Sequence, residues 1–217
     1  MTLHDLLEPL LETAVTIGGT DTTWAELLGF VTGAVNVWLV VRQNLLNWPI
    51  GIANVMLLGL IFFDSKLYAD AGLQVVYVVL QVYGWWQWLY GGRDRTALVT
   101  RRTRSGEWIF LAVAAAAATG VLTWVLSTWT DSDVPFWDAL TTSISLAATY
   151  GQSRKLLESW WLWIAADLVY IPLYFHKELY LTSALYVIFL GLCVAGLIAW
   201  RSDWRTRQAA APVSTAP

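Results

Sequence analysis

Residues 159–175, SWWLWIAADLVYIPLYF, place one charged side chain near the centre of an otherwise apolar and aromatic run. The run is about long enough to cross a bilayer as a helix. Its charged residue is Asp167, and a carboxylate at mid-membrane costs roughly 2.5–3.5 kcal/mol on insertion scales. Such a carboxylate must face other protein or a water-filled cavity. The run therefore predicts a polar interior within a bundle of membrane-spanning helices.

Five residues of this run recur at helical spacing, at i, i+3, i+7, i+10 and i+14. They are Trp160, Trp163, Asp167, Tyr170 and Tyr174. In a helix this spacing aligns two indoles, a carboxylate and two phenols on one face, which favours a ligand-binding surface. The alternatives are interfacial anchoring for the tryptophans and a structural hydrogen bond for the carboxylate.

The composition excludes a soluble domain. Hydrophobic residues make up 57% of the 217 residues and charged residues only 13%, whereas soluble domains carry about 25% charged residues. A single cysteine, Cys193, excludes a disulfide within the chain, and His4 and His176 are too far apart to suggest a metal cluster. We expect no metal, no cofactor and no nucleic-acid partner. The acidic N-terminus lacks the basic region of a cleaved signal peptide, so it is expected to be retained.

Apolar runs and their charged or proline-containing boundaries predict an all-α polytopic membrane protein with seven transmembrane helices. The predicted spans are 24–43, 46–63, 67–89, 108–129, 136–152, 159–175 and 179–200. The expected organisation is a lead-in at 1–23, a first three-helix unit at 24–90, a basic linker at 91–107, a connector helix at 108–130, a second three-helix unit at 136–201 and a disordered tail at 202–217.

The distribution of basic residues predicts the orientation. Seven spans with the N-terminus outside put eleven of the thirteen Lys and Arg residues on the cytoplasmic side. Only Lys66 and Lys177 then lie outside. Because cytoplasmic loops are enriched in Lys and Arg, we expect the N-terminus outside and the linker, the tail and the C-terminus inside.

The chain aligns with itself at an offset of 112 residues, without a gap. Trp48 falls on Trp160, Phe63 on Phe175 and Trp88 on Trp200. Two three-helix units joined by one inverting helix keep the same orientation, so the pattern predicts 3+1+3 parallel repeats. In transporters with such repeats the substrate site lies near the bilayer midplane between the units.

Amide side chains line the helices of the first unit and extend the candidate site. They share faces with small or polar residues, and they are Asn36, Gln43, Asn54, Gln74 and Gln81. Each amide alone is explained by interhelical hydrogen bonding, worth about 0.6 kcal/mol in membranes. As a set they predict a polar cavity.

Several motifs together resemble the PnuC family of bacterial vitamin transporters over about residues 24 to 201. They are NWPIGIANV, FFDSKLYAD, LQVVY, YGWWQW, PFWDA, SRKLLESWWLW and ELYLTSALY. The resemblance implies a fold like that of the SWEET sugar transporters, a homotrimer in the bacterial inner membrane, and facilitated diffusion made one-way by phosphorylation inside the cell. It also implies that Trp160 and Trp163 contact the substrate.

Most members of that family carry nicotinamide riboside, and the residues agree with this substrate. Its ring is permanently cationic, which suits an indole face and the carboxylate of Asp167. Amides such as Asn54, Gln74 and Gln81 suit hydroxyls and a carboxamide, because they both donate and accept hydrogen bonds. Thiamine, riboflavin or a deoxynucleoside as substrate, and proton-coupled uptake, remain alternatives. A membrane-embedded enzyme is a remote one, because the sequence offers no nucleophile–base pair or metal cluster at depth.

Overall fold

The computed structural model describes residues 3–17, 20–64, 66, 68–130, 132–176 and 180–210. These residues are almost entirely helical. The elements are α1 (Leu3–Leu11), β1 (Thr13–Ile17), β2 (Thr20–Thr23), α2 (Trp24–Val41), α3 (Asn47–Asp64), α4 (Tyr68–Tyr90), a 3-10 turn (Arg93–Arg95), α5 (Ser105–Trp129), α6 (Pro135–Ser153), α7 (Ser159–His176) and α8 (Tyr180–Ala210).

Local signals in the sequence explain where the helices begin. Thr23 caps α2 in a capping box, because its hydroxyl accepts from the Glu26 N–H at 3.2 Å while its own N–H donates to the Glu26 carboxylate at 2.8 Å. Pro135 stands at the first position of α6, where a missing N–H costs nothing. By length and hydropathy alone, four helices in the described part suffice to cross a membrane: Trp24–Val41, Asn47–Asp64, Ser105–Trp129 and Thr182–Ala210.

The lead-in is more ordered than the sequence indicated. The lead-in at 1–23, for which no regular element was predicted, contains α1 and an antiparallel β-hairpin in which Thr13 pairs with Thr23. Gly18 and Gly19, between the two strands, lie outside the described residues. His4 contacts the carboxylate of Asp64, at the end of α3, at 2.9 Å. That hydrogen bond raises the pKa of His4, and it attaches α1 to the bundle.

Residues 91–104, between α4 and α5, were expected to be a basic linker. They form an ordered segment across one end of the bundle, here called the strap. Its backbone bonds to α4 through Leu98 N–H and the Trp88 carbonyl at 3.1 Å. Around Arg101 it pairs with the α6–α7 connection, donating to the Lys155 carbonyl at 3.1 Å and accepting from Leu157 N–H at 2.9 Å. Backbone pairing therefore holds the strap in place.

The tail differs from the expectation of disorder from residue 202. Helix α8 continues to Ala210, and the i,i+4 pair of Arg207 and Asp203, 2.9 Å apart, stabilises its last turns. Residues 211–217 lie outside the described part.

Four tryptophans form the centre of the core near the strap. Trp48, Trp88, Trp160 and Trp200 are each at most 4% exposed. Trp48 packs edge-to-face on Trp88 with ring centroids 5.2 Å apart, and Trp160 packs in the same way on Trp200 at 5.4 Å. A Cβ at Gly84 or Gly196 would overlap the ring of Trp48 or Trp160 respectively, so the indoles require glycine at these positions.

Two hydrogen bonds join the helices of the expected first unit, α2 to α4, to those of the second, α6 to α8, and each unit donates one of them. The Trp88 indole N–H donates to the Gln152 carbonyl at 2.9 Å, and the Trp200 indole N–H donates to the Val40 carbonyl at 3.1 Å. Trp88 and Trp200 are 112 positions apart, as are Val40 and Gln152. Positions that align in the sequence thus make matching contacts in the fold, with α2 packing on α8 and α4 on α6.

Candidate functional site

A cavity of about 240 Å³ lies inside the bundle, beside the tryptophan cluster. Its walls come from α2, α3, α4, α6, α7 and α8, with no lining residue from α5 among those described. The lining residues are Asn36, Val37, Val40, Asn47, Trp48, Tyr77, Gln81, Trp88, Thr149, Gln152, Trp160, Trp163, Asp167, Tyr186, Phe189 and Cys193. The wall is mostly apolar and aromatic with a few polar groups, as is typical of small-molecule sites.

Five buried polar atoms of this wall have no hydrogen-bond partner among the described residues. They are Asn36 Oδ1, Trp48 Nε1, Trp160 Nε1, Trp163 Nε1 and Asp167 Oδ2. More than nine in ten buried polar groups in proteins are paired, and leaving one unpaired costs about 1–3 kcal/mol. The residues that line this one cavity therefore carry three donors and two acceptors with unused hydrogen-bonding capacity.

Helix α7 supplies the charged and aromatic part of the wall. Trp163 and Asp167 are four residues apart and so lie one above the other on the same helix face. Asp167 is only 3% exposed, and the thiol of Cys193 on α8 hydrogen-bonds to its carboxylate. An indole and a carboxylate on one wall suit a flat cationic group, through ring stacking and charge attraction.

Trp160 lines the same cavity but is also part of the core. It is 0% exposed and packed against Trp200 and the backbone at Gly196. Trp163 is half-buried. Trp163 is therefore the better placed of the two indoles for stacking on a ligand.

Five of the nine site residues predicted from sequence come together here: Asn36, Gln81, Trp160, Trp163 and Asp167. The other four lie away from the wall, each with its own contacts. Asn54 donates to the Gly29 carbonyl at 3.2 Å and to the Thr32 hydroxyl at 2.5 Å, tying α3 to α2. Gln74 packs beside Gly59, between α4 and α3.

Tyr170 and Gln43 are also not among the lining residues of the cavity. Tyr170 belongs to a tyrosine stack with Tyr174 and Tyr186, with ring centroids 4.6 to 5.6 Å apart. Tyr186 and Phe189 line the cavity, so the stack reaches it through Tyr186.

Lys155 lies over Trp88, a lining residue of the cavity, beside the strap. Its ammonium donates to the Gln43 amide oxygen at 3.0 Å and lies 4.3 Å above the centre of the Trp88 ring. Gln43 in turn donates to Asp203 at 3.3 Å. Burial lowers the pKa of Lys155 to about 8, because desolvation disfavours its charged form.

Glu158 binds the strap to the connection between α6 and α7. Its carboxylate accepts from Thr103 N–H at 2.7 Å and from the Arg102 guanidinium at 3.0 Å. Burial alone would raise the pKa of Glu158, but these hydrogen bonds outweigh it and hold the pKa below its ordinary value. The charged side chains of Lys155 and Glu158 are therefore held by hydrogen bonds beside the strap.

Several wall residues were not predicted as site residues, including Trp48, Tyr77, Gln152, Phe189 and Cys193. Two signals pointed to some of them. Trp48 aligns with Trp160 at the offset of 112 residues, and Tyr77 shares a helix face with Gln81. Cys193 aligns with Gln81 at the same offset, whereas Phe189 carries no such signal, because an apolar helix face toward a cavity has the same composition as one toward lipid.

Comparison with known proteins assigns the family. The family model described as nicotinamide mononucleotide transporter matches residues 23–202. The chain is 25% identical to the nicotinamide riboside transporter PnuC of Escherichia coli, over 91% of this chain and 93% of that protein. This chain belongs to the PnuC family.

Relatives in the PnuC family differ in the substrate that their names give. The riboflavin/roseoflavin transporter RibM of Streptomyces davaonensis is 30% identical over 88% of this chain and 89% of its own length. The crystal structure of the vitamin B3 transporter PnuC matches this fold with a TM-score of 0.65 and 26% identity, covering 84% of this chain and 83% of that one. The chain is thus a multi-pass membrane transporter rather than an enzyme, as the sequence predicted.

Proposed function

We propose that this PnuC-family member carries nicotinamide riboside across the bacterial inner membrane by facilitated diffusion. One observation carries the proposal: Trp163 and Asp167 lie on the same wall of a cavity whose lining residues carry buried polar atoms with unused hydrogen-bonding capacity. Few ligands need an aromatic face, an anion and several hydrogen-bonding groups within so small a volume.

A pyridinium nucleoside meets each of these features. Its cationic ring gains about 2 kcal/mol or more from a desolvated indole face. The Asp167 carboxylate offsets the ring's charge, which would otherwise be costly to bury. Gln81 and Asn36 suit the hydroxyls and the carboxamide, since amides both donate and accept.

The proposed architecture is that of 3+1+3 parallel repeats with seven spans, similar to the SWEET transporters. The matching tryptophan contacts and the reciprocal bonds of Trp88 and Trp200 support it. Basic residues at the strap end support a cytoplasmic position for that end, with the N-terminus outside. We further propose a homotrimer, and net uptake that is made one-way by phosphorylation of the substrate in the cytoplasm.

Riboflavin is the second candidate substrate, and the 30% identity to RibM favours it. Its ring system is neutral and larger. A neutral ring leaves the charge of Asp167 without a counterpart, so the carboxylate favours the cationic ligand.

A ligand panel and a counterflow assay together test the proposal. Nicotinamide riboside should raise the unfolding temperature of the purified protein more than thiamine, riboflavin or uncharged nucleosides do. In liposomes the protein should exchange labelled nicotinamide riboside without an ion gradient. A larger shift with riboflavin overturns the substrate assignment, and exchange that requires a proton gradient overturns facilitated diffusion.

A further inference from the structure

Equivalent positions of the two three-helix units carry side chains of complementary size where they meet the cavity. Gly51 in α3 aligns with Trp163 in α7, and Gln81 in α4 aligns with Cys193 in α8. One unit thus pairs a residue without a side chain with a long amide. The other unit pairs the largest side chain with a small thiol.

In the first unit the Gln81 side chain occupies the space that Gly51 leaves open. A Cβ at Gly51 would overlap the Gln81 amide, with its nitrogen 2.8 Å and its carbon 2.9 Å away. Gly51 is buried, and Gln81 lines the cavity. The missing side chain at position 51 therefore determines where the Gln81 amide lies.

In the second unit the large side chain stands on the other helix: Trp163 takes the position of Gly51, and the small Cys193 takes that of Gln81. Trp163 packs against the cluster that contains Cys193, and both residues line the cavity. Cys193 is 4% exposed and hydrogen-bonds to Asp167. Because the Cys193 thiol reaches the Asp167 carboxylate, a longer side chain at position 193 would take up cavity space beside that carboxylate.

We propose that Gly51 and Cys193 determine the orientation of the ligand, Gly51 by seating the Gln81 amide for the hydroxyl-bearing end and Cys193 by keeping space for the cationic ring beside Trp163. The inference rests on the proposed transport of a nucleoside with a flat, charged ring. Gly51 is a positioning residue that acts through Gln81. Cys193 is a specificity-determining residue through its small volume.

The structure makes Gly51→Ala an informative variant. The atoms that the new Cβ would meet belong to the end of a flexible side chain rather than to backbone, so the helices keep their packing while the amide moves. The matched control is Gly29→Ala, also at a helix–helix contact, where a Cβ would lie 3.9 Å from the nearest atom, on the Leu58 side chain.

The first experiment measures the affinity of purified variants for nicotinamide riboside by calorimetry. Gly51→Ala should weaken binding by about tenfold and Gly29→Ala should not. In a Gln81→Ala background, Gly51→Ala should cause no further loss, because no amide remains to be moved. Equal affinities of wild type and Gly51→Ala, or the full loss recurring in the Gln81→Ala background, would overturn the role of Gly51.

The second experiment enlarges position 193 and covers the case in which Gly51→Ala does not fold. Cys193→Leu should weaken binding at least tenfold, whereas Val194→Leu, which enlarges a side chain 42% exposed on the same helix, should leave it unchanged. Unchanged affinity of Cys193→Leu overturns the role of Cys193. If wild type binds no vitamin of the panel, the proposed function itself fails; if wild type binds and these variants match it, only this inference fails.

Discussion

At the scale of single residues, the proposed site is built on an indole and a carboxylate that lie together on one helix face. Trp163 and Asp167 are close in sequence, so their alignment follows from the helix alone. Their value for binding comes from burial. In a desolvated cavity a cation gains more from the ring face and from the carboxylate than it would in water.

Trp163→Ala should weaken nicotinamide riboside binding by more than about tenfold, or 1.4 kcal/mol, because the ring face that stacks on the ligand is removed. Calorimetry on the purified variant measures the change. Trp161→Ala is the control, since Trp161 is 53% exposed on the outer surface of the same helix. Equal affinities for Trp163→Ala and wild type would remove this indole from the site.

Asp167→Asn should weaken binding of the cationic nucleoside by about tenfold or more, and binding of a neutral nucleoside analogue far less. The substitution keeps the shape and removes the charge, so the difference between the two ligands reports charge attraction. Competition binding against both ligands measures it. Equal losses for both ligands would indicate that Asp167 acts through the structure of the wall.

At the scale of elements, the strap makes the α6–α7 connection rigid and holds a cation over Trp88. Backbone bonds around Arg101 and the Glu158 carboxylate fix the strap on that connection. Lys155 adopts a left-handed backbone conformation with φ of 48°, and its partner Gln43 does so with φ of 52°. These two residues are 112 positions apart, so their contact joins equivalent points of the two units.

The lowered pKa of Lys155 predicts a pH dependence of stability. The folded pKa is about 8, and an exposed lysine has a pKa near 10.4, so the unfolded chain binds more protons between these values. Stability relative to Lys155→Met should therefore rise as pH increases from about 8 to about 10, by roughly 3 kcal/mol at most. The nearby charges of Asp203 and Arg207 act on Lys155 in opposite directions.

Unfolding temperatures at pH 7.5 and 9.5, measured in detergent for wild type and Lys155→Met, test this dependence. Lys66→Met is the control, because Lys66 is exposed. If the wild type and Lys155→Met change in parallel between the two pH values, the buried ammonium does not contribute in this way.

At the scale of the whole molecule, two three-helix units meet through matching aromatic contacts. Each unit contains a tryptophan pair seated over a glycine, and each donates one indole N–H to a backbone carbonyl of the other unit. The symmetry is incomplete at the cavity, where Asp167 aligns with Val55 and Trp163 with Gly51. Different residues at equivalent positions of the cavity suit a ligand whose two ends differ. The aromatic packing beside the cavity remains alike in the two units.

Gly84→Ala and Gly196→Ala should each destabilise the protein by about 1–3 kcal/mol or more, because a new Cβ overlaps a buried indole that has no space to move. Thermal unfolding in detergent measures the loss. Gly120→Ala is the control, since a Cβ there would meet no atom within 4 Å. A stability of Gly196→Ala equal to that of the control would contradict the packing described here.

The positions of the long helices were predictable from the sequence because apolar runs end at charges, prolines or glycines, and helices satisfy their own backbone hydrogen bonds in lipid. The face shared by Trp163 and Asp167 was predictable for the same local reason. The hairpin in the lead-in and the helix beyond residue 202 were not, because Thr-rich and charged segments become ordered through contacts such as Thr13 with Thr23 and Gln43 with Asp203.

The tertiary structure alone decided which polar side chains face the cavity. Asn54 and Gln81 are both amides within apolar spans, yet Asn54 binds α2 while Gln81 lines the wall. Helix rotation and crossing set that difference, and these depend on side chains far away in sequence. Asp167 was recognisable from sequence by the cost of its charge, whereas its hydrogen bond with Cys193 exists only because α8 packs against α7.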